Sequence, residues 1–587
     1  MAVIPSKQFQ KTQSSSILHI MGKYSWMFDW LVNRTTTAGL SGRKLRVAVT
    51  FTATIGFSLF GYDQGLMSGI ITGEQFNKDF PPTLDNKTIQ GAVVACYELG
   101  CFFGALFALL RADRIGRKPI IIVGAIIIII GTIISVTPMR PHWQTGQFVI
   151  GRVVTGVGNG MNTATIPVWQ SEMSRAENRG KLVNIEGAVI AIGTCIAYWI
   201  DFGFSYVNNS AQWRFPTAFQ VVFAGLLLAG IIVMPESPRW LIAHDRKPEA
   251  YEVLGYLNDL PPDDDAIVAE ASTIVDAVNR FTSAQTGFKD LFTGGRTQHF
   301  QRMIIGSSSQ FFQQFTGCNA AIYYSTILFH ETIFNGDKYR LSLILGGVFA
   351  TIYALATIPS FFLIDTVGRR KLFLIGAIGQ GCSFIISFAC LVNPTEENAK
   401  GAAVGIFLFI VFFAFTILPL PWIYPPEINP LRTRTTASAV STCTNWITNF
   451  AVVMFTPEFI ERSNWGTYLF FACFNFLFVP VIFFFYPETA GRSLEEIDII
   501  FAKAHVEGRQ PWRVAATMPK LSLQEIDEQS KNLGLFDENF DKDNFETKED
   551  ISESSSSEGL RNRDHGMFEK DSQQSENEST ARDDGRV

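Results

Sequence analysis

A single carboxylate, Asp63, interrupts a long apolar stretch of the sequence. Between Val47 and Gly73 no other acidic or basic side chain occurs. A charged side chain inside a bilayer is costly, so an ionisable residue in such a position is a functional candidate by default. Asp63 could take up and release a proton, pair with a cation as a static structural element, or stay neutral.

A second group of polar residues is a cluster of amides between Gln310 and Asn319. Gln310, Gln313 and Gln314 are spaced by three and four residues, which places them on one face of a helix. Gly317 would let that helix break and expose its backbone to a cavity. Amides both donate and accept hydrogen bonds, which suits an uncharged polyhydroxy ligand. The alternative is hydrogen bonding between helices, a common role of Gln and Asn in membranes.

These side chains need apolar elements to hold them, and the composition supplies many. The 587 residues are 47% hydrophobic and 17% charged, whereas soluble proteins carry about 25% charged residues. A transmembrane helix needs roughly 20 mostly apolar residues, and the ten-residue alternation of a membrane barrel is not seen. The sequence therefore predicts an all-α polytopic membrane protein. Its twelve apolar runs, spans 1 to 12, lie at 47–72, 91–110, 118–137, 147–168, 183–204, 216–234, 302–329, 341–364, 371–392, 401–424, 435–457 and 466–486.

Three charged motifs occur twice in the same order, which indicates an internal repeat. Two parallel six-span halves are therefore predicted, an arrangement typical of secondary transporters that bind substrate between their halves. The repeated motifs are Asp113-x-x-Gly116-Arg117-Lys118 and Asp365-x-x-Gly368-Arg369-Arg370 at an offset of 252, Glu172 with Arg179 and Glu427 with Arg434 at 255, and Pro235-Glu-Ser and Pro487-Glu-Thr at 252.

The topology follows from the Arg/Lys clusters RADRIGRK and DTVGRRK, which mark the cytoplasmic side. Both termini then lie inside, and two glycosylation sequons, at Asn86 and Asn208, fall in outside loops. The predicted segments are an N-terminal cytoplasmic segment at 1–46, a first bundle at 47–234, a cytoplasmic linker with short helices at 235–301, a second bundle at 302–487, and a cytoplasmic tail at 488–587.

The tail is acidic and rich in serine. Residues 521–587 hold 19 acidic and 8 basic side chains, a composition that predicts disorder beyond about residue 520. We expect regulation or turnover there, for example by ubiquitin machinery. All eight cysteines fall in apolar runs, so no disulfide framework and no metal site are expected.

The repeated charges at the cytoplasmic ends are candidate gate residues. They could pair across the two halves and hold the inner side closed, or they could satisfy the positive-inside rule with surface pairs worth about 0–1 kcal/mol. The acidic members, which the positive-inside rule does not require, favour gating. The candidates are Asp113, Arg117, Glu172, Arg179, Asp365, Arg369, Glu427 and Arg434.

The repeat, with PESPRWL at 235–241, PETAGRS at 487–493 and QQFTGCN at 313–319, resembles the sugar-porter branch of the major facilitator superfamily over about residues 45–505. Within that branch, FSLFGYDQGLM, AYWIDFG and QFFQQFTGCNAAIYYST are similar to the fungal glycerol–proton symporters. The resemblance implies a plasma-membrane transporter that imports glycerol with protons, and no other cofactor.

The resemblance also implies a binding site. Where hexose carriers have Gln, Asn and Gly, this chain has Gly187, Tyr353 and Leu418, and the lost amides and added bulk favour a ligand smaller than a hexose. The substrate-binding candidates are Gln313, Gln314, Asn319, Trp422, Asn445 and Tyr353.

The resemblance pairs Asp63 with Arg152 of span 4 as the proton-coupling residues. Glycines around Arg152, in GRVVTGVGNG, permit close helix contact there. Some facilitative hexose carriers also have Asp at this position, so a static pair remains open. Glu98 and Glu186 are further membrane carboxylates that could share the task, whereas Asp201 is expected to be structural.

The alternatives to a glycerol–proton symporter are a facilitative sugar or polyol carrier and a non-transporting nutrient receptor that signals through the tail. The sequence contains no nucleophile–base constellation, Walker A motif or metal cluster, so an enzyme is not expected. Small polyols and the lipid bilayer are the expected partners, and nucleic acid is not.

Overall fold

The structure is a computed structural model that describes residues 37, 39–137, 143–174, 179–283, 291–294, 296–334, 338–393, 395–430 and 433–535. Within this part of the chain the regular elements are helices, with no strand. They form two bundles of six spans each, as the internal repeat predicts.

The first half contains six long helices in the order that the apolar runs predict. Two short helices, Glu74–Asp79 and Pro82–Asp85, connect the first span to the second. Spans 1 to 6 are Gly42–Ile70, Lys87–Ile115, Arg117–Val136, Gln144–Glu172, Arg179–Phe204 and Ala211–Val233.

The second half repeats this order with two interrupted helices. Span 7 consists of His299–Phe315 and Cys318–Ile327 followed by a π-helical turn, and it breaks at Gly317, whose φ is 93°. Span 10 passes through a second π-helical turn before it breaks at Pro419. The remaining helices are span 8 at Tyr339–Ala356, a short helix at Ser360–Val367, span 9 at Arg369–Leu391, span 10 at Glu396–Phe412 and Leu420–Ile428, span 11 at Arg434–Arg462, and span 12 at Asn464–Phe485.

Nine of the helices in the described ranges are long and apolar enough to cross a membrane. Spans 4, 7 and 11 complete the twelve; span 7 is divided by its break into helices of 17 and 10 residues, and all three carry polar side chains such as Arg152, Gln314 and Asn445. Those three side chains are buried within the protein. These three spans therefore supply polar side chains to an interior site.

Spans 2 and 4 are in backbone contact along a line of glycines. A β-carbon at Gly156 would collide with the carbonyl oxygen of Tyr97, and one at Gly160 would collide with that of Cys101. Small residues of this kind let helices in membranes approach closely. The contact brings Arg152, one turn before Gly156, against span 2.

Short helices lie beyond the spans at one end of the molecule. The linker forms Pro238–Ala243, Lys247–Asn258 and Asp265–Ser283, and the tail forms Leu494–Val506, Pro511–Thr517 and Leu523–Asn532. We call this the linker end, and the opposite end, at the start of span 2, the far end. The last tail helix lies past the predicted boundary near residue 520, because a capping box at Ser522 begins it. The tail beyond residue 535 lies outside the described residues.

Candidate functional site

A buried ion pair joins spans 1 and 4 at the centre of the first half. Arg152 Nη1 donates to Asp63 Oδ1, and both side chains are almost completely inaccessible to solvent. The Arg152 guanidinium also lies 4.5 Å from the ring centroid of Tyr97. A buried charge left without its partner is strongly unfavourable, so each member of this pair depends on the other.

A cavity of about 30 Å³ lies beside this ion pair, between the two halves. All six predicted substrate-binding residues line it: Gln313, Gln314, Asn319, Trp422, Asn445 and Tyr353. The first half contributes Phe60, Gln64 and Ile190 to its wall, and the second half also contributes Cys318, Ile322, Phe413, Leu418 and Asn449. The volume holds roughly two water molecules, so a substrate requires the halves to separate.

The amides around the cavity form one hydrogen-bonded chain. Asn319 Nδ2 donates to Gln314 Oε1 and to Asn449 Oδ1, each at 2.8 Å. Gln314 Nε2 donates to Asn445 Oδ1 at 2.5 Å, and Gln64 Nε2 from the first half reaches Asn319 Oδ1 at 3.4 Å. The chain therefore crosses the interface between the halves, and a hydroxylated ligand could exchange bonds with it.

Two of these residues, Gln64 and Asn449, were not among the predicted site residues. Gln64 follows Asp63 directly, and Asn449 lies four residues after Asn445, on the same face of span 11. Both spacings are visible in the sequence and could have identified them. Two consecutive residues of span 1 thus belong to different sets of contacts: Asp63 to the ion pair and Gln64 to the amide chain.

The amides of span 7 do not all face the cavity. Gln310 Nε2 donates to the carbonyl oxygen of Pro421 at 2.6 Å, and Gln310 does not line the cavity. Gln313 lines it but donates to the carbonyl oxygens of Ile417 and Leu418 at 3.3 and 3.2 Å. The break in span 10 leaves these carbonyls available, so the glutamines fix one broken helix against the other.

The residues that replace hexose-carrier side chains meet at this cavity. Leu418 and Tyr353 line its wall. A β-carbon built on Gly187 would lie 3.7 Å from the Leu418 side chain, so span 5 passes close to span 10 here. The leucine fills space that a glycine would leave open.

Three further carboxylates are buried in the first half. Glu98 accepts a hydrogen bond from the hydroxyl of Tyr323 in span 7. Asp201 is buried near the far end, and neither of its carboxylate oxygens has a hydrogen-bond partner among the described residues. Glu186 is buried in span 5. Of these three, Glu98 forms a hydrogen bond between the two halves.

The repeated charges at the linker end pair within each half. Arg117 contacts Asp113 at 3.0 Å and Glu172 at 3.1 Å. Since Gly116 alone separates spans 2 and 3, Arg117 lies one turn from Asp113 and beside the end of span 4. In this structure these three residues therefore pair within the first half, and their pairing across the halves in a state closed at the linker end stays a prediction.

The second half has the same arrangement. Arg369 contacts both Asp365 and Glu427 at 3.0 Å. Arg434 instead donates to the carbonyl oxygen of Asn429 at 3.3 Å. Among the described residues these four predicted gate residues make no pair across the halves in this state, and the side chain of Arg179 lies outside the described part of the chain.

A carboxylate from the repeated Pro-Glu motif caps the helix behind each cluster. Glu236 accepts hydrogen bonds from the backbone N–H groups of Lys118 and Ser237 at 3.0 and 2.8 Å. Glu488 accepts from the backbone N–H groups of Arg369 and Arg370 at 2.8 and 3.2 Å. Burial raises the pKa of the Glu236 carboxyl, although these backbone donors favour its charged form. The repeated Pro-Glu motif identified these two glutamates in the sequence, but it did not indicate which backbone N–H groups they bind.

Both sequon asparagines lie near the far end with exposed side chains. Asn86 caps span 2, because its side-chain oxygen accepts from the backbone N–H groups of Thr88 and Ile89. Asn208 lies between spans 5 and 6. Glycosylation of either one remains a prediction.

Comparison with known proteins identifies the family. A family model described as "Sugar (and other) transporter" matches residues 49–501. The chain belongs to the sugar-porter family. The resemblance seen in the sequence motifs is therefore confirmed at the level of the family.

Several curated relatives of this transporter come from fungi. It is 60% identical over 521 residues to the "Sugar transporter STL1" of Saccharomyces cerevisiae, covering 88% of this chain and 91% of the relative. It is 59% identical over 512 residues to the "Major facilitator superfamily transporter mfsA" of Aspergillus fumigatus, covering 85% and 94%. The "Low-affinity glucose transporter HXT1" of S. cerevisiae is 31% identical over 508 residues, covering 84% and 86%. These relatives are transporters rather than enzymes.

Solved structures share the fold. The proton:xylose symporter XylE bound to 6-bromo-6-deoxy-D-glucose superposes with a TM-score of 0.66 at 24% identity, covering 78% of this chain and 99% of that chain. The transporter is thus a multi-pass membrane protein of the twelve-span major facilitator class.

Side-chain contacts between the halves of this transporter concentrate at the far end. Lys87 of span 2 forms a salt bridge with Glu331 at 3.1 Å, and Thr88 donates to Glu458 of span 11 at 3.0 Å. Nearer the cavity, the Ser68 hydroxyl lies 3.0 Å from that of Thr326. These contacts hold the far end closed.

Proposed function

We propose that this transporter imports glycerol together with protons by alternating exposure of its central cavity. The observation that carries the proposal is the adjacency of Asp63 and Gln64 in span 1. One binds the buried arginine, and the other binds the amide chain that lines the cavity. A movement of this one turn of span 1 therefore affects both the proton site and the substrate site.

The residues have separate roles in this cycle. The amides of Gln314, Asn319 and Asn445 bind the hydroxyl groups of the substrate. The carboxylate of Asp63 takes up a proton from water when the cavity faces outward, and Arg152 favours its release when the cavity faces inward. The proton is the coupling ion, and no other cofactor takes part.

The substrate proposal rests on the shape of the cavity. Leu418 and Tyr353 occupy wall positions, and the cavity volume is about 30 Å³. A three-carbon polyol needs less additional space than a six-carbon sugar, and its three hydroxyl groups match a short row of amides. Glycerol is therefore favoured over hexoses.

The proposal includes an orientation in the plasma membrane. The linker end carries the dense Arg/Lys clusters and faces the cytoplasm by the positive-inside rule. Both termini and the tail then lie inside, where regulatory or ubiquitin machinery has access to the tail. The contacts at the far end then correspond to a state closed toward the outside.

The test is uptake of labelled glycerol by cells that lack their own glycerol carriers, with external pH recorded in weakly buffered medium. The wild type should accumulate glycerol and make the medium more alkaline. Asp63→Asn should lose both effects, because an amide cannot take up the proton. Asp263→Asn, at an exposed linker position, is the control and should behave as the wild type.

A facilitative sugar or polyol carrier is the second candidate. The observation in its favour is that the similar yeast proteins are described as a sugar transporter and a glucose transporter. Uptake that neither exceeds the external concentration nor changes external pH would establish this candidate. It would leave the Asp63–Arg152 pair as a structural contact.

A further inference from the structure

The position of Glu98 indicates a role beyond those described above. It is fully buried in span 2, and its Oε1 atom accepts the hydrogen bond from the Tyr323 hydroxyl of span 7. Its Oε2 atom makes no hydrogen bond within 3.5 Å among the described residues, and the nearby Asn449 amide does not close on it. A buried carboxylate oxygen without a donor is unfavourable, so this atom is available to a new partner.

Arg152 has hydrogen-bond donors that lack acceptors. Its Nη1 atom binds Asp63, but Nε and Nη2 have no hydrogen-bond partner in the described part of the chain. The guanidinium lies over the ring of Tyr97, the residue that precedes Glu98. Two unused donors and one unused acceptor therefore occupy helices that are in backbone contact.

Tyr323 connects Glu98 to both the cavity and the far end. It lies in the segment Cys318–Ile327, one turn after Asn319 of the amide chain. Ser325 and Thr326, further along the same segment, contact Ser68 of span 1 across the interface between the halves, at 3.4 and 3.0 Å. A change at Glu98 is thus transmitted to the segment that closes the far end.

The charged groups around Glu98 limit which residue could take the place of Asp63 as the partner of Arg152. Among the titratable neighbours that the structure describes, Arg152 is the one cation, so it needs an anionic partner whenever Asp63 is protonated. The neighbours are Asp63 of span 1, Cys96, Tyr97 and Cys101 of span 2, Arg152 of span 4, and Cys318, Tyr323 and Tyr324 of span 7.

We propose that Glu98 is the alternate partner of Arg152 and that it couples protonation of Asp63 to opening of the far end. This rests on the proposed function. While the far end is open, water on the outside gives a proton to Asp63, the pair loses its anion and Arg152 turns to Glu98 Oε2. Glu98 is then held away from Tyr323, and the Cys318–Ile327 segment stays released. Loss of the proton from Asp63 to the inside returns Arg152 to Asp63 and Glu98 to Tyr323, so one O–H bond is made and broken in each cycle.

The experiment uses the full-length protein in liposomes, with glycerol uptake measured with and without an imposed pH gradient and glycerol counterflow measured at equal pH. In Glu98→Gln we expect the gradient to lose its effect on accumulation, by at least about fivefold, the lower end of typical coupling between two sites. Counterflow, which needs no net proton movement, should persist. Glu461→Gln, at an exposed position in span 11, is the matched control.

Two further outcomes are informative. If Glu98→Gln responds to the gradient as the wild type does, this inference is wrong while symport stands. If the wild type itself does not respond, symport is wrong and the inference falls with it.

Tyr323→Phe keeps the carboxylate and removes the link to span 7, so it provides a test that does not depend on the folding of Glu98→Gln. It should also reduce the response to the gradient. The double variant should be no worse than Glu98→Gln alone, because the two residues act in one chain. Independent, additive losses would count against the proposal.

Discussion

At the scale of single residues, we propose that two side chains of the second half set the size of the substrate. Leu418 and Tyr353 line the cavity, at positions where the family resemblance implies Gly and Asn in hexose carriers. Differences of one or two small groups in an apolar pocket alter discrimination by roughly 10–200-fold. The selectivity of this transporter should therefore be adjustable without changing its amides.

We predict that Leu418→Gly combined with Tyr353→Asn admits larger polyols and pentoses. Xylose should then inhibit labelled glycerol uptake at least about tenfold more strongly than in the wild type, because the wall recedes on one side and gains an amide on the other. Leu408→Gly, at a position of span 10 that is 38% exposed, controls for the glycine in that helix. Unchanged inhibition by xylose would show that these residues do not set substrate size.

The sequence was sufficient for much of the site at this scale. The amide motif of span 7 and the family resemblance identified six of the residues that line the cavity. Glu98 was noted as a carboxylate, but its bond to Tyr323 was not predicted. Such a contact depends on how two helices of different halves are rotated and translated, and helical spacing within one span does not specify that.

At the scale of helices, the breaks in spans 7 and 10 and the caps of spans 3 and 9 determine where side chains can move. Glu236 and Glu488 hold the starts of spans 3 and 9 in the same way, so each half carries one copy of the device. Gly116 and Gly368 precede these helices with φ values of 106° and 97°. The duplicated cap therefore fixes the start of the corresponding helix in each half.

The Glu236 cap leads to a prediction about pH. Because burial raises the pKa of its carboxyl, the protonated form is favoured in the folded protein. The stability that this contributes is complete below the unfolded pKa of about 4.3 and is lost as pH rises through the folded value. As pH rises from the unfolded pKa to the folded pKa, the melting temperature of the wild type should therefore fall relative to that of Glu236→Gln. Above the folded pKa, the difference between the two melting temperatures should be constant.

The measurement is thermal unfolding of both purified proteins in detergent across a pH series. Glu252→Gln, at an exposed position in the helix Lys247–Asn258, should follow the wild type throughout. A constant difference between the wild type and Glu236→Gln at all pH values would contradict the prediction.

At the scale of the whole molecule, the two halves close against each other at the far end. At the linker end, Arg117 and Arg369 pair in this state with carboxylates one turn away and on an adjoining helix of their own half, so the pairing of these charges across the halves stays a prediction for the state in which that end is closed. Apolar length and the internal repeat predicted the twelve spans, since both are properties of the chain alone. Whether the interface between the halves is open or closed depends on the relative position of the two halves. No local sequence pattern specifies that position.

The closed far end predicts that a covalent link there stops transport. With cysteines at Thr88 and Glu458, whose side chains are hydrogen-bonded at 3.0 Å, a short reducible cross-linker should abolish glycerol uptake. Reduction should restore it, because opening of this end is part of each cycle. The two single-cysteine variants, treated identically, should keep their uptake. Full uptake with the cross-link complete would contradict alternating exposure.

The adjacency of Asp63 and Gln64 has an energetic consequence for the cell. In the proposed mechanism, one carboxylate beside one substrate site carries one proton with each glycerol molecule, and this ratio would limit the concentration gradient that transport can sustain. One pH unit is worth about 1.4 kcal/mol, or about tenfold in concentration. A membrane potential of 100 mV adds about 2.3 kcal/mol, or roughly fifty-fold. An energised cell could thus hold glycerol several hundred times above its surroundings, and it would lose that reserve as the outside became alkaline.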